Sequence, residues 1–154
     1  MKKLLTLIAL CLTTVAFAQS NKEDVDLIQS LYGKEKKAIV AEFIDLKAEQ
    51  KDAFWKLYDE YETKRKELGK KRIAILEQYA ANYGTMDEAA TAKNINETAA
   101  LGVETDKLIA TYQKKIQKVA GAKAAGQFFQ LEAYFLSVIR VAIFENIPFI
   151  GELK

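Results

Sequence analysis

The stretch KAEQKDAFWKLYDEYETKRKELGKKRIAILEQYAANY, residues 47–83, decides the fold. Phe54, Tyr58, Tyr61, Leu68, Ile75, Leu76, Tyr79 and Tyr83 recur within it at near-heptad spacing, so they share one stripe of a long amphipathic helix. At 1.5 Å per residue such a helix reaches about 54 Å, more than a compact domain of this size houses, and an elongated molecule is expected. Arg65 and Arg72 fall on the same stripe. Their alkyl stems can lie on apolar neighbours while the guanidinium heads stay wet, which leaves the middle of the helix half buried.

Downstream, Gly84 stands where a left-handed helix cap is wanted, and Thr85-Met86-Asp87-Glu88 has the T-x-x-E spacing of a capping box. A tight turn is predicted there. A second helix over about 86–118, with Ala92, Ile95, Leu101, Leu108, Ile109, Tyr112 and Ile116, should run back antiparallel to the first. Ala120-Gly121-Ala122 interrupts the pattern, and a last helix over about 123–145 carries Phe128, Phe129, Leu131, Tyr134, Phe135, Leu136, Val138, Ile139, Val141, Ile143 and Phe144. Its apolar groups cover most of the circumference. Glu132, Arg140 and Glu145 interrupt it too often for a membrane span, so it is either a buried central helix or a surface awaiting something apolar. Pro148 stops it.

Upstream, Val25, Ile28, Tyr32, Ile39, Val40 and Phe43 form another helical stripe, with breaks expected at Gly33 and Asp45. Strong helix formers dominate, the only proline is Pro148, and nothing reads as strand-turn-strand. The fold expected is all-α: an elongated antiparallel helical hairpin with flanking helices, four to five helices in all.

Lys2 and Lys3, the apolar run Leu4 to Val15 and the small-x-small signal Ala16-Phe17-Ala18 read as a signal peptide over residues 1–18, with cleavage after Ala18. Residues 19–154 are then a single helical domain, exported to the periplasm. Cys11 does not make a lipoprotein site, because Leu10 precedes it where a small residue is needed. Processing removes the sole cysteine and takes the 23 basic residues to 21, equal to the 21 acidic ones. A formally neutral chain offers no net charge to nucleic acid, which is not an expected partner.

With no cysteine after processing, stability rests on apolar packing. The chain has no histidine at all, which removes the usual base near neutral pH, the Ser-His and Cys-His nucleophile pairs and the imidazole ligands of metal and haem sites. No H-E-x-x-H, C-x-x-C, D-x-D-x-D-G, G-x-S-x-G or phosphate-cradling glycine loop occurs. No catalytic residue, metal site or cofactor is assigned, and the chain is not expected to be an enzyme. Glu49 with Asp52, and Asp59 with Glu62, lie one helical turn apart and read first as solvated acids balanced by nearby lysines. The run from Lys64 to Arg72 concentrates positive charge at mid-helix, as a solvated face, a dimer contact or a recognition patch.

Leu46-Lys47-Ala48-Glu49-Gln50, followed by Phe54 and Tyr58 in a long charged helix, resembles the L-T-x-x-Q motif of the Spy/CpxP family of small periplasmic helical proteins. Leu46 and Gln50 are the retained positions. Lys47 stands where that motif has threonine, so either Asp45 caps the helix or the helix runs through. The resemblance implies a cradle-shaped helical dimer linked to envelope stress and ATP-independent chaperoning of unfolded clients.

The expected function is therefore non-enzymatic: an apolar, charge-rimmed surface that holds unfolded or partner polypeptide. Candidate contacts are Phe54, Tyr58, Tyr61, Phe128, Phe129, Tyr134 and Phe135, with Arg65 and Arg72 on the rim. The surplus of aromatic residues on the last helix also suits a homodimer, and the alternative function is a structural or regulatory homodimeric module that signals to an envelope partner. Ile147, Phe149 and Ile150 prolong the apolar surface past Pro148 and leave peripheral membrane contact as a further expectation.

Overall fold

The computed structural model describes residues 35–151, which are 88% helical with no strands. The signal peptide, its cleavage site, the stripe Val25, Ile28 and Tyr32, and the break at Gly33 all lie outside the described residues. Helix α1 occupies 35–43, a 3-10 turn spans Ala48–Gln50, α2 spans Lys51–Asn82 and α3 spans Glu88–Asn146. The described residues thus form three α-helices, fewer than the four to five expected. Gly121 explains the difference: it changes the helix direction within one residue (φ 83°, ψ 172°), so the 59-residue run of α3 contains no intervening loop.

That one residue folds α3 back on itself. Arg140 Nη2 lies 3.3 Å from Asp106 Oδ1, whereas 34 residues of straight helix would separate them by about 51 Å. The first arm, 88–120, runs antiparallel to α2, as the pairs Lys71–Glu104 and Tyr61–Tyr112 require. The second arm, 122–146, returns parallel to α2, since Tyr61 meets Glu132 and the Tyr79 hydroxyl donates to the Pro148 carbonyl at 2.8 Å. Lys36 reaches Glu132 and Asp45 reaches Lys123, which sets α1 antiparallel to the second arm. The expected hairpin of α2 with the first arm is present, and a third layer lies along it.

The core concentrates at the Gly121 end. Val40, Ile44, Phe54, Tyr58, Tyr61, Ile109, Tyr112, Ile116, Ala124, Ala125, Phe128 and Phe135 form one buried cluster there. Tyr61 and Phe128 meet edge to face at 5.1 Å, and Tyr61 and Tyr112 at 5.6 Å. Such pairs add to the area they bury. Towards the α2–α3 turn the packing thins. Thr91, Asn94 and Glu97 are partly buried while Ile95 stays exposed, reversing the stripe expected for that segment. A polar cavity of about 380 Å³, lined by residues including Gln78, Asn82, Asn94 and Glu97, opens between the helices.

Two local expectations are corrected at that turn. Positive φ among the described glycines occurs at Gly121 and Gly151, not at Gly84. The chain leaves α2 through right-handed Tyr83, with Thr85 N–H donating to the Asn82 carbonyl at 2.8 Å, so no left-handed residue is required. Nor does Thr85 cap the next helix. Asp87 does, its Oδ1 accepting from Ala90 N–H at 2.7 Å, and its carboxylate also complements the positive end of the helix dipole. At the other end Ile147 is extended (φ −117°, ψ 128°), as the residue before Pro148 prefers, and α3 stops there.

Candidate functional site

The two arms and α2 divide the sequence candidates into two groups. Phe54, Tyr58, Tyr61, Phe128 and Phe135 are all buried, from 0% to 4% exposed, and pack on one another. These five are corrected from surface contacts to core. They lie on stripes that do face a partner, but the partner is another part of this chain. Phe129 and Tyr134 remain candidates, each 45% exposed.

Around the buried rings lies a set of charges. Lys36, 1% exposed, donates to Glu62 Oε1 at 2.7 Å and Glu132 Oε2 at 2.6 Å. The rings of Tyr58, Tyr61 and Phe135 surround its ammonium group at 5.3 to 5.8 Å from their centroids. Tyr61 Oη donates to Glu132 Oε2 at 2.7 Å, and Arg65 grips Glu62 through Nε at 2.7 Å and Nη2 at 3.0 Å. Two cations and two carboxylates balance. Burial alone would raise the Glu62 carboxyl, but Lys36 and Arg65 outweigh it and hold it below the ordinary carboxylate value. Burial pushes the Tyr61 phenol far up, and the Glu132 charge adds to the shift. Arg65 is therefore a structural partner rather than a rim contact. Of the acid pair Asp59 and Glu62, Glu62 joins this cluster while Asp59 pairs with Lys37 at the surface.

Arg72 differs from Arg65. It is half buried, and its guanidinium has no ion-pair or hydrogen-bond partner among the described residues, while none of its nitrogens is sealed from solvent. Burial lowers its affinity for a proton, and the nearby charges of Arg140 and Arg65 lower it further against the pull of Asp106.

Among the described residues, the second arm carries Phe129, Tyr134, Val141 and Phe144 as exposed large apolar side chains. Residues 127–144 have a mean hydropathy of 1.3, yet only 22% of the stretch is buried. Its two charged side chains both have partners within the described residues. Glu132 points inward to Lys36, and Arg140 pairs with Asp106 on the other arm. Outside are left Tyr134, Val141 and Phe144, with Phe144 stacked on Phe149 at 5.8 Å and Ile150 beyond. Exposure of Val141, Phe144, Phe149 and Ile150 runs from 55% to 62%. On the flank facing the first arm, Asp106, Ile109, Phe129, Ala133, Leu136, Ser137 and Arg140 line a groove of about 150 Å³.

The closed end is tied by two glutamines. Gln50 accepts from Lys47 N–H at 3.0 Å and donates to the Ala120 carbonyl at 3.1 Å; Gln127 accepts from Asp45 N–H at 3.4 Å and donates to the Phe43 carbonyl at 3.1 Å. Gln50 thus satisfies the backbone where a threonine or Asp45 was expected to cap, and Asp45 is engaged by Lys123 at 2.8 Å. Leu46 packs partly buried against the core. No local pattern singles out Gln127, because its partners lie 82 and 84 residues away.

Glu49 and Asp52 stand exposed on the outside of the closed end. Among the described residues no group of three or more Cys, Asp or Glu side chains is placed to hold a metal ion. Comparison with protein-family models, with curated proteins and with solved structures returned no match.

Proposed function

We propose that this chain is a non-enzymatic helical binding protein of the periplasm that holds unfolded or partner polypeptide on the outer face of its last helical arm, in a chaperone-like, envelope-stress-related role. One observation carries the reading: an apolar 18-residue stretch is 22% buried, and its two charges already have partners in the same chain, Glu132 in the core and Arg140 in a surface pair with Asp106. Monomeric soluble proteins rarely leave a contiguous apolar surface of this kind without a use for it. Burial of Tyr134, Val141 and Phe144 against an apolar segment supplies affinity, and the charged flanks of α2 keep the free protein in solution.

Export rests on the leader read at Lys2 to Ala18, and the periplasmic assignment is part of the proposal. The chaperone-like and envelope-stress part of the proposal rests on the resemblance of Leu46 to Gln50 to the Spy/CpxP motif.

The test combines light scattering, a hydrophobic dye and a chemically denatured client. The proposal expects dye binding and delayed client aggregation at stoichiometric ratios. A protein that binds no dye and leaves aggregation unchanged overturns it; if that protein is also a stable dimer, its uncovered face serves the homodimeric module instead. Flotation with liposomes in the absence of client capture assigns the face to a membrane.

A further inference from the structure

We infer that α1 is an acid-released cover: protonation of the carboxylates that hold it frees residues 35–46 from α2 and the second arm, and uncovers the rings of Tyr58, Tyr61 and Phe135 as further surface for polypeptide. The inference rests on the polypeptide-binding reading and supplies its regulation.

The attachment of α1 differs from that of the long helices. Among the described residues, α1 and the link behind it place Val40 and Ile44 in the core, with Ile39 and Leu46 at its edge. Beyond these and the two bonds of Gln127, ion pairs hold it. Lys36 reaches Glu62 on α2 at 2.7 Å and Glu132 on the second arm at 2.6 Å. Lys37 pairs with Asp59 on α2, and Asp45 with Lys123 on the second arm at 2.8 Å. By contrast, α2 and the two arms meet through Phe54, Tyr61, Ile109, Tyr112, Ile116 and Phe128. The ion pairs between them, Lys71–Glu104 and Arg140–Asp106, lie at the surface, where such pairs contribute little. Acid weakens the first kind of attachment and spares the second.

Lys36 is faced from α2 by Tyr58, Tyr61 and Glu62, with Arg65 behind Glu62, and from the second arm by Glu132 and Phe135. The first arm reaches this cluster through Tyr112, 5.6 Å from Tyr61, with Lys115 over the Tyr112 ring. On α1 itself Glu35 and Glu42 are exposed. Lysine and arginine keep their charge in the range where carboxylates lose theirs. Once Glu62 and Glu132 are neutral, Lys36 is a buried cation without a counter-charge, which is strongly unfavourable. Lys36 escapes only by taking α1 with it. The body left behind remains satisfied, because a neutral Glu132 can keep its hydrogen bond with Tyr61. Burial raises the Glu62 carboxyl, but Lys36 and Arg65 more than offset it and hold it below the ordinary value; the hydrogen bond and charge of Lys123 do the same for Asp45. Both ionised forms therefore favour the closed molecule above about pH 4, and that preference is lost as pH falls through the folded values. A segment with so few apolar contacts opens ahead of the whole. The rings it bares adjoin the outer face of the second arm, since Phe135 lies 6.0 Å from Tyr134.

The experiment is hydrogen exchange read by mass spectrometry on the whole protein between pH 6 and 3.5, comparing 36–46 with 105–118 in the same sample. Protection of 36–46 relative to 105–118 should fall about tenfold or more as the pH drops. Trp55, the single tryptophan, lies beneath Lys37 at 5.1 Å and should shift its emission to the red in the same transition, with helix content retained and dye binding and client capture increased. Lys36→Met with Glu132→Leu removes the buried ionic latch while keeping apolar contact, and should abolish the transition. Glu62→Gln with Glu132→Gln should release 36–46 already at pH 7. Loss of protection in both segments together, or in neither, overturns the inference, as does an unchanged transition in Lys36→Met with Glu132→Leu. Client capture that is equal at both pH values, with 36–46 protected throughout, overturns the acid release and leaves the polypeptide reading standing. Release of 36–46 with no client captured at any pH overturns the polypeptide reading and leaves the acid release standing.

Discussion

Lys36 is the residue on which the buried charges turn. Its ammonium group is removed from water and repaid by two carboxylates and three rings, so its loss strands Glu132 on Tyr61 alone. Removing one partner of such a cluster typically costs about 3–5 kcal/mol, whereas replacing the pair by apolar groups is often neutral. Lys36→Met should therefore destabilise the protein by about that amount in urea, and Lys36→Met with Glu132→Leu should recover part of the loss. Acid acts on the same cluster. With the folded Glu62 carboxyl below its ordinary value, its ionised form contributes stability above about pH 4.3, and that contribution disappears as pH falls through the folded value. Unfolding followed between pH 6 and 2.5 should show a decline beginning below about pH 4.3, flattened in Glu62→Gln. None of this was legible from spacing. Glu62 and Glu132 lie 26 and 96 residues from Lys36, and the one signal was an acid, Glu132, set in an otherwise apolar arm.

Among the elements, α3 carries the most information in its single bend. Gly121 adopts a conformation that a side chain rarely tolerates, although a Cβ there would strike nothing; the obstacle is the backbone itself. Gly121→Ala should lower stability by roughly 1–3 kcal/mol in chemical denaturation with helix content by circular dichroism little changed. Ala120-Gly121-Ala122 announced the break in the sequence, and the helical stripes of α2 and the first arm were equally plain. What the sequence hid was the consequence of folding back: with a third layer present, the stripe of Phe54, Tyr58 and Tyr61 becomes interior. The turn at 83–87 was misread in detail because Thr85, Asp87 and Gly84 all suit helix ends, and only geometry shows that Asp87 reaches the Ala90 amide.

At the scale of the whole molecule, the inner and outer faces of the second arm divide the labour between stability and contact. Val141→Ser with Phe144→Ser removes an isopropyl group and one ring of outer apolar surface at exposed positions, so the unfolding free energy should move by no more than about 0.5 kcal/mol. Dye binding and client capture should both fall in the same variant. Phe128→Ala, by contrast, empties a fully buried site and should cost about 3–5 kcal/mol. Periodicity predicted that the last helix is apolar on most sides but could not say which side meets the core, since both faces carry aromatic residues at helical spacing.

The uneven distribution of packing along the bundle also sets a gradient in time. Near Gly121 the chain is clasped by Gln50 and Gln127 around interlocked rings; near Asn82 and Asp87 the two long helices face each other across polar side chains and a cavity wide enough for several water molecules. Backbone amides at the clasped end should exchange with deuterium only through global opening, while those from 88 to 98 exchange through local fraying. The bundle then behaves as a peg, stiff at its spring and compliant at its jaws.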